Sequence, residues 1–119
     1  MTVLDASAVL AFLQGEKGAE VVRQHLSDSV VGAANLAEVL TRLEGAVERS
    51  LAEAILVGSG VRSEAVSAED ARRSAQIKDR KPALSLGDRL CLALADRRDD
   101  VVLTADRAWG KSERILQIR

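Results

Sequence analysis

Four carboxylates stand where the chain could assemble a cation site. Asp5 and Asp106 each follow a short apolar run, whereas Glu38 and Asp88 lie at the start of stretches with helical spacing. Open α/β sheets bind ligands beyond the carboxyl ends of their strands, at the point where the strand order reverses. Acids that reach this point from separate segments offer the oxygen ligands that Mg²⁺ prefers, beside water and a substrate phosphate. The pattern therefore points to hard-cation chemistry.

Asp5 and Asp106 support this interpretation best. In the common doubly wound orders, the first strand lies next to a late strand at the switch point. We therefore expect these two carboxylates to face each other at close range. Like charges so close together raise each other's pKa or attract a cation.

Each acid also has a structural explanation, because acids favour the start of a helix. Glu38 and Asp88 match the capping box in Asn35-Leu-Ala-Glu38 and Ser85-Leu-Gly-Asp88. Asp5 and Asp106 are suited to cap the segments that follow them. Taken one by one, the capping role is the commoner one, so only the joint placement of the acids favours a cation site.

The elements that would position these acids alternate along the chain. Short apolar runs predict strands at Thr2–Leu4, Ser29–Ala33, Val61–Val66 (an edge strand), Val101–Leu103 and Ile115–Ile118. Helical spacing predicts a first helix capped by Ser7, then helices over residues 19–26, 35–47, 51–57, 67–78 and 84–98. Strands that alternate with helices indicate an α/β fold with a mainly parallel sheet and right-handed crossovers.

Three further signals mark helix boundaries within this pattern. Ser50 with Glu53 forms a capping box for the 51–57 helix, and Ser67 with Asp70 caps the helix after the edge strand. Pro82 predicts a break before the last long helix.

Composition restricts the possible partners and compartments. The 119 residues suit one domain, 1–119, and their net charge of −1 does not indicate nonspecific nucleic-acid binding. Phe12 and Trp109 are the only aromatic residues, so platforms for base stacking are not expected. The single cysteine, Cys91, excludes an internal disulfide and fits a reducing cytoplasm. Neither a signal peptide nor a membrane span is expected.

Four blocks of the sequence resemble the signatures of PIN-domain nucleases. They are VLDASAVLAFL at 3–13, ANLAEVLTRL at 34–43, LSLGDRLCLALA at 84–95 and VLTADRAW at 102–109. Their order and spacing over nearly the whole chain are most similar to VapC-type toxins of bacterial toxin–antitoxin modules. The resemblance implies a three-layer α/β/α fold with about five short strands.

The resemblance also implies an activity. Asp5, Glu38, Asp88 and Asp106 match the catalytic and metal-binding acids, and Ser7 and Thr104 match hydroxyl residues that support them. Mg²⁺, with Mn²⁺ as a substitute, would assist the hydrolysis of RNA phosphodiester bonds by activating water and stabilising the leaving oxygen.

The partners implied by the resemblance are a cognate antitoxin, an RNA substrate and a second copy of the chain. The antitoxin would lay a peptide across the site, and contact with DNA would be indirect, through the antitoxin. A homodimer would use the helices between Asn35 and Val57, whose apolar faces are wide. No membrane partner is expected.

Basic residues cluster just before the helix that carries Asp88. We consider two roles for Arg80 and Lys81: a grip on RNA phosphates at the rim of the site, or a solvated helix end, which is slightly favoured. Cys91 is expected to be a packed small hydrophobe, Trp109 to pack over the turn that presents Asp106, and His25 to lie at the surface.

Other functions fit the sequence less well. A phosphotransfer receiver domain needs paired acids after its first strand, where only Asp5 occurs, and a dehalogenase-type phosphatase needs an acid where Ser7 stands. A stronger alternative is a PIN fold that has lost catalysis and acts only through its protein partner.

Overall fold

Five parallel strands form the centre of the molecule in a computed structural model that describes residues 1–119. The strands are β1 (Thr2–Leu4), β2 (Ser29–Gly32), β3 (Arg62–Glu64), β4 (Val101–Thr104) and β5 (Ile115–Gln117). The helices are α1 (Ala6–Gln14), α2 (Ala19–Arg23), α3 (Ala33–Arg42), α4 (Gly45–Gly58), α5 (Ala68–Arg80) and α6 (Leu86–Arg98). Two short 3-10 turns occupy Leu26–Asp28 and Arg107–Trp109.

The sheet order is β3-β2-β1-β4-β5, so the order reverses between β1 and β4. Val3 pairs with Val30 on one side and with Val102 on the other, in parallel register. β1, β2 and β4 are almost entirely buried, whereas β3 is an exposed edge strand, as its weak apolar pattern predicts. The switch point therefore lies directly after Leu4, where Asp5 follows.

Alternate residues of each strand face opposite helix layers. Leu4 packs with Val9 of α1 and Val39 of α3, whereas its neighbour Val3 packs in a second cluster with Leu92 of α6 and Trp109. This alternation follows from the two-residue period of a strand. The predicted three-layer α/β/α fold and its parallel sheet are confirmed.

The helix boundaries between residues 35 and 57 differ from the sequence prediction. The predicted helices at 35–47 and 51–57 are instead α3, which ends at Arg42, and α4, which runs without a break through Ser50. Gly45 adopts a φ of +84°, which glycine tolerates and which turns the chain after α3. The Glu48 carboxylate accepts a hydrogen bond at 3.1 Å from the amide of Glu44, the residue before α4. The predicted Ser50–Glu53 capping box is wrong, because Ser50 lies inside α4.

Other helix boundaries follow the sequence more closely. The capping boxes Ser67–Asp70 and Ser85–Asp88 form with both reciprocal hydrogen bonds, and they begin α5 and α6. The predicted helix over 19–26 is shorter, because α2 ends at Arg23 before the first 3-10 turn. No helix of the fold has the length and apolar character needed to cross a bilayer.

Candidate active site

Asp5 lies at the switch point of the sheet and joins three elements. Its amide donates to Leu103 O of β4 at 3.2 Å, which extends the β1–β4 ladder by one bond. Its carboxylate caps α1 by accepting from the Ala8 amide at 2.8 Å. Of the two predicted caps of this helix, Asp5 is confirmed and Ser7 is wrong, because Ser7 lies inside the first turn of α1.

Two hydroxyl groups hold the Asp5 carboxylate in place. Ser7 Oγ lies 2.7 and 2.9 Å from its two oxygens, and Thr104 Oγ1 donates to Oδ2 at 2.6 Å. Both hydroxyls also accept backbone amides from the chain that leaves β4, Ala105 N to Ser7 and Asp106 N to Thr104. Asp5 is therefore oriented by groups that are themselves fixed.

Burial raises the pKa of Asp5 from its ordinary value of 3.8 to about 6, and the negative charge of Asp88 adds to the rise. Hydrogen bonds from Thr104, Ala8 and Ser7 oppose it by stabilising the charged form. The side chain is only 3% exposed. At neutral pH the site therefore contains a buried carboxylate whose charge is only partly compensated by its neighbours.

Glu38 approaches the start of α6 from α3. Asn35 is not a cap, because α3 begins two residues earlier; instead its amide donates to Glu38 Oε1 at 3.0 Å and to Gly87 O at 3.1 Å. A Cβ atom on Gly87 would overlap Glu38 Oε1 and lie 2.8 Å from Cδ. Glycine at position 87 therefore leaves the space that the Glu38 carboxylate occupies beside the first turn of α6. The predicted Asn35–Glu38 capping box is wrong.

Asp88 is both a cap and a neighbour of the other acids. Its carboxylate accepts the Ser85 amide at 3.3 Å, as the capping box requires. The pKa of the buried Cys91 thiol is raised, chiefly because the side chain is buried. The negative charges of Asp5, Asp88 and Glu38 raise this pKa further. Three of the four acids thus act on one point beneath the site, and Cys91 is the packed, protonated residue that was expected.

Asp106 follows β4 but is not the residue of that segment that contacts Asp5. β1 and β4 are adjacent as expected, but Leu4 pairs with Leu103, so Thr104 is the residue that contacts Asp5. The Asp106 carboxylate accepts the Ala108 amide at 2.9 Å and caps the turn at Arg107–Trp109. Thr104 therefore makes the direct contact with Asp5, and Asp106, two residues further on, is exposed. The close approach of the two carboxylates stays a prediction.

The donor set suits a hard cation. All four side chains present carboxylate oxygens, and Asp5 carries a buried charge that a cation would compensate. In this conformation no three His, Cys, Asp or Glu side chains are grouped closely enough to hold an ion between them. Mg²⁺ commonly takes one or two carboxylates directly and keeps several waters, so a set of spaced acids is compatible with it.

Arg80 and Lys81 end α5 at the side of this site. Both are exposed, and Lys81 Nζ donates to Trp109 O at 3.4 Å, within the turn that Asp106 caps. Trp109 is 1% exposed and packs behind that turn, as predicted. His25 is half-buried and its ring lies 3.3 Å from the Thr2 hydroxyl, away from the acids.

Sequence reasoning missed the roles of Asn35 and Gly87. Glycine in a helix costs about 1 kcal/mol relative to alanine, so a glycine in the first turn of α6 indicated that position 87 has a structural role. Asn35 gave no such signal, since its partner Gly87 is 52 residues away.

Comparison with known structures supports the same fold. A toxin–antitoxin complex from Klebsiella pneumoniae contains a chain that matches with a TM-score of 0.85 and 15% identity, covering 100% of this chain and 98% of that one. VapC20 from Mycobacterium tuberculosis, a toxin that cleaves the sarcin–ricin loop, matches with a TM-score of 0.74 and 19% identity, covering 95% and 98%.

A third match is DNA-bound VapBC from Salmonella typhimurium, with a TM-score of 0.73, 17% identity and coverage of 99% and 98%. No curated protein matches the sequence significantly. The family model for the PIN domain matches residues 2–114. The chain therefore belongs to the PIN-domain family.

Proposed function

We propose that this protein is a Mg²⁺-dependent endoribonuclease and the toxin of a type II toxin–antitoxin system. The observation that carries the proposal is the buried Asp5 carboxylate, with its raised pKa, at the switch point of a PIN fold. Burying a carboxylate without a counter-charge is costly, so such a group is retained where function requires it.

Asp5, Glu38, Asp88 and Asp106 would hold Mg²⁺, or Mn²⁺ in its place. The ion, when bound, supplies Lewis acidity toward water and the scissile phosphate. Ser7, whose one hydroxyl proton is shared between both carboxylate oxygens at 2.7 and 2.9 Å, and Thr104, at 2.6 Å, keep the Asp5 carboxylate in one orientation. Asn35 and Gly87 keep the Glu38 carboxylate beside the first turn of α6, which carries Asp88. Preorganised donors need little rearrangement during the reaction.

The structural relatives support the proposed partners. The Klebsiella pneumoniae match comes from a toxin–antitoxin complex, and the Salmonella typhimurium match is VapBC bound to DNA. We assign to this chain a cognate antitoxin that covers the acids, and contact with DNA only through that antitoxin. A carboxylate cluster attracts a basic side chain from such a partner. A cytoplasmic location fits the single reduced thiol.

A homodimer is part of the same proposal. α4 exposes an apolar stripe in which Val47 is 82% and Leu51 59% exposed. Apolar side chains aligned on one helix face in this way are typical of an association surface.

The decisive experiment is RNA cleavage by the purified protein with Mg²⁺ and with EDTA. We expect cleavage only with the metal, and loss of cleavage in Asp88→Asn. Asp99→Asn is the matched control, because Asp99 is 92% exposed and lies before β4, at the opposite end of the sheet. Cleavage by Asp88→Asn at the rate of the control would refute the assignment.

One observation favours the alternative of an inactive PIN module. Asp5, Asp88 and Asp106 each cap a helix or turn, so the fold alone gives a reason to keep them. This alternative predicts antitoxin binding without any metal-dependent cleavage. The same purified protein decides between the two functions.

A further inference from the structure

A small basic cavity lies between α5, α6 and the loop that enters β5. It has a volume of about 200 Å³ and is lined by Arg73, Arg80, Lys81 and Arg114, with Asp96 as its single acid. Four cations against one carboxylate give this cavity a local excess of positive charge in a chain whose net charge is −1. Such a local excess attracts a polyanion.

Two of the four basic side chains that line the cavity have no ion-pair partner. Asp96 is shared by Arg73, whose Nε lies at 3.1 Å, and by Arg114, whose Nε lies at 3.4 Å. Arg114 is also anchored through Nη1 to the carbonyls of Ala95 and Asp100. Arg80 and Lys81 form no ion pair, so an incoming anion would meet two unneutralised cations beside two fixed ones.

The floor of the cavity is apolar. Ile77, Leu92 and Ile115 line it, and each belongs to the buried cluster on this side of the sheet. The volume is below the roughly 300–1,000 Å³ that enclose a drug-sized ligand, so the cavity suits one segment of a polymer. A ribose would lie against the apolar floor of the cavity, and the basic side chains at its rim would bind the attached phosphate.

Another cavity between the same helices has no such character. It is larger, about 430 Å³, but its three arginines are balanced by three acids, among them Asp70, which Arg97 binds through two nitrogens. Its positive and negative side chains are equal in number, so it has no excess of positive charge that would select an anion.

The position of the basic cavity connects it with the acids. At one end of the cavity, Lys81 reaches Trp109 O in the turn capped by Asp106. At the other end, Arg114 is anchored to Asp99 and Asp100, before β4. The cavity therefore runs from the Asp106 turn along α5 and α6 toward the opposite end of the sheet. We propose that this cavity is a phosphate subsite for the RNA strand where it extends beyond the candidate active site, with Arg80 and Lys81 as its contact residues. The inference rests on the proposed nuclease function and assigns the path of its substrate.

The subsite holds the backbone and does not read bases. It contains no aromatic side chain on which a base could stack, and phosphate contacts carry no sequence information. Its contribution to affinity should therefore be sensitive to salt and indifferent to RNA sequence.

The test is anisotropy of a labelled single-stranded RNA of mixed sequence with the full chain in excess EDTA, over a range of salt concentrations. Each lost phosphate contact lowers the slope of log affinity against log salt by about 0.7. We expect Arg80→Ala with Lys81→Ala to lower it by about 1.4 and to weaken binding about tenfold or more at low salt. Arg80→Lys with Lys81→Arg should restore the slope.

The matched control is Lys17→Ala with Arg49→Ala, which removes the same charge from exposed positions on α4 and the loop before α2. An equal loss in this control, or an unchanged slope in the Arg80/Lys81 double variant, overturns the subsite. Absence of RNA binding by the unmodified chain overturns it too. If the protein does not cleave RNA but binds it in a manner that depends on Arg80 and Lys81, the nuclease function is rejected, whereas RNA binding at the cavity is supported.

Discussion

Thr104 Oγ1 donates a 2.6 Å hydrogen bond to Oδ2 of Asp5 and accepts the Asp106 amide at 3.0 Å. One hydroxyl therefore joins the acid at the end of β1 to the chain that carries the acid after β4. The contact is fully buried at Thr104. The geometry of the β1–β4 half of the site thus depends on a side chain that is neither acidic nor reactive.

Thr104→Val is expected to move the acid limb of the cleavage profile to higher pH. The hydrogen bond favours the charged form of Asp5, so its loss raises a pKa that already lies near 6. The Asp106 amide also loses its acceptor, which should cost about 1–3 kcal/mol of unfolding free energy. Rate against pH and urea denaturation measure the two effects.

Thr41→Val provides the comparison. Thr41 is exposed on α3 and its hydroxyl donates only to Ala37 O of its own helix. Its replacement should change stability by less than about 0.5 kcal/mol. If both variants keep the same pH profile as the unmodified chain, Thr104 does not set the pKa of Asp5.

Asp5→Asn should make the protein inactive and more stable at neutral pH. The pKa of Asp5 in the folded state, about 6, lies above its ordinary value of 3.8, so the folded chain binds the extra proton between these values. Stability therefore falls as pH rises through this window, and the ionised group costs up to about 3 kcal/mol above it. Asparagine carries no charge and still caps a helix.

The measurement is urea denaturation of Asp5→Asn and the unmodified chain between about pH 4 and pH 8, without metal. The stability difference should be largest at the neutral end of this range and should shrink toward the acidic end. Added Mg²⁺ should stabilise only the unmodified chain, because a ligand stabilises the state that binds it. A constant difference at every pH would show that Asp5 is not destabilised by its charge.

Gly87→Ala should destabilise the protein although alanine is the better helix former by about 1 kcal/mol. The new Cβ would overlap Oε1 of Glu38 and displace its carboxylate, at a typical cost of about 1–3 kcal/mol. Cleavage should fall with it, because Glu38 would leave the position fixed by Asn35. Thermal unfolding and cleavage rates test both effects.

Gly58→Ala is the matched substitution in another helix. Gly58 is the last residue of α4, does not adopt a positive φ, and has no atom within 4 Å of the point where an alanine Cβ would lie. Alanine there should raise stability by about 0.5–1 kcal/mol. Equal behaviour of the two glycine variants would mean that the approach of Glu38 to α6 does not depend on Gly87.

Local signals in the sequence predicted most of the fold. The apolar runs around Val3, Val30 and Val102 identify the central strands because a parallel sheet is buried on both faces. The boxes Ser67–Asp70 and Ser85–Asp88 mark the starts of α5 and α6 because their partners are three residues apart.

The sequence could not predict where distant segments meet. Asn35-Leu-Ala-Glu38 has the pattern of a capping box, yet Asn35 binds Gly87 on α6, and only the tertiary fold brings that partner near. Likewise, the adjacency of β1 and β4 could be predicted, but the register that pairs Leu4 with Leu103 could not. That register sets Thr104 against Asp5 and leaves Asp106 beyond it.

The capping role of Asp5 and Asp106 has a consequence for how this protein would change under selection. Both carboxylates accept a backbone amide, Ala8 N and Ala108 N, and asparagine can accept the same bond. Substitution by an apolar residue would remove the cap together with the charge, whereas asparagine would remove the charge and keep the cap. Where selection favours loss of catalysis but retention of the fold and of partner binding, asparagine should therefore accumulate at these two positions. Sequences of homologous proteins would show this pattern.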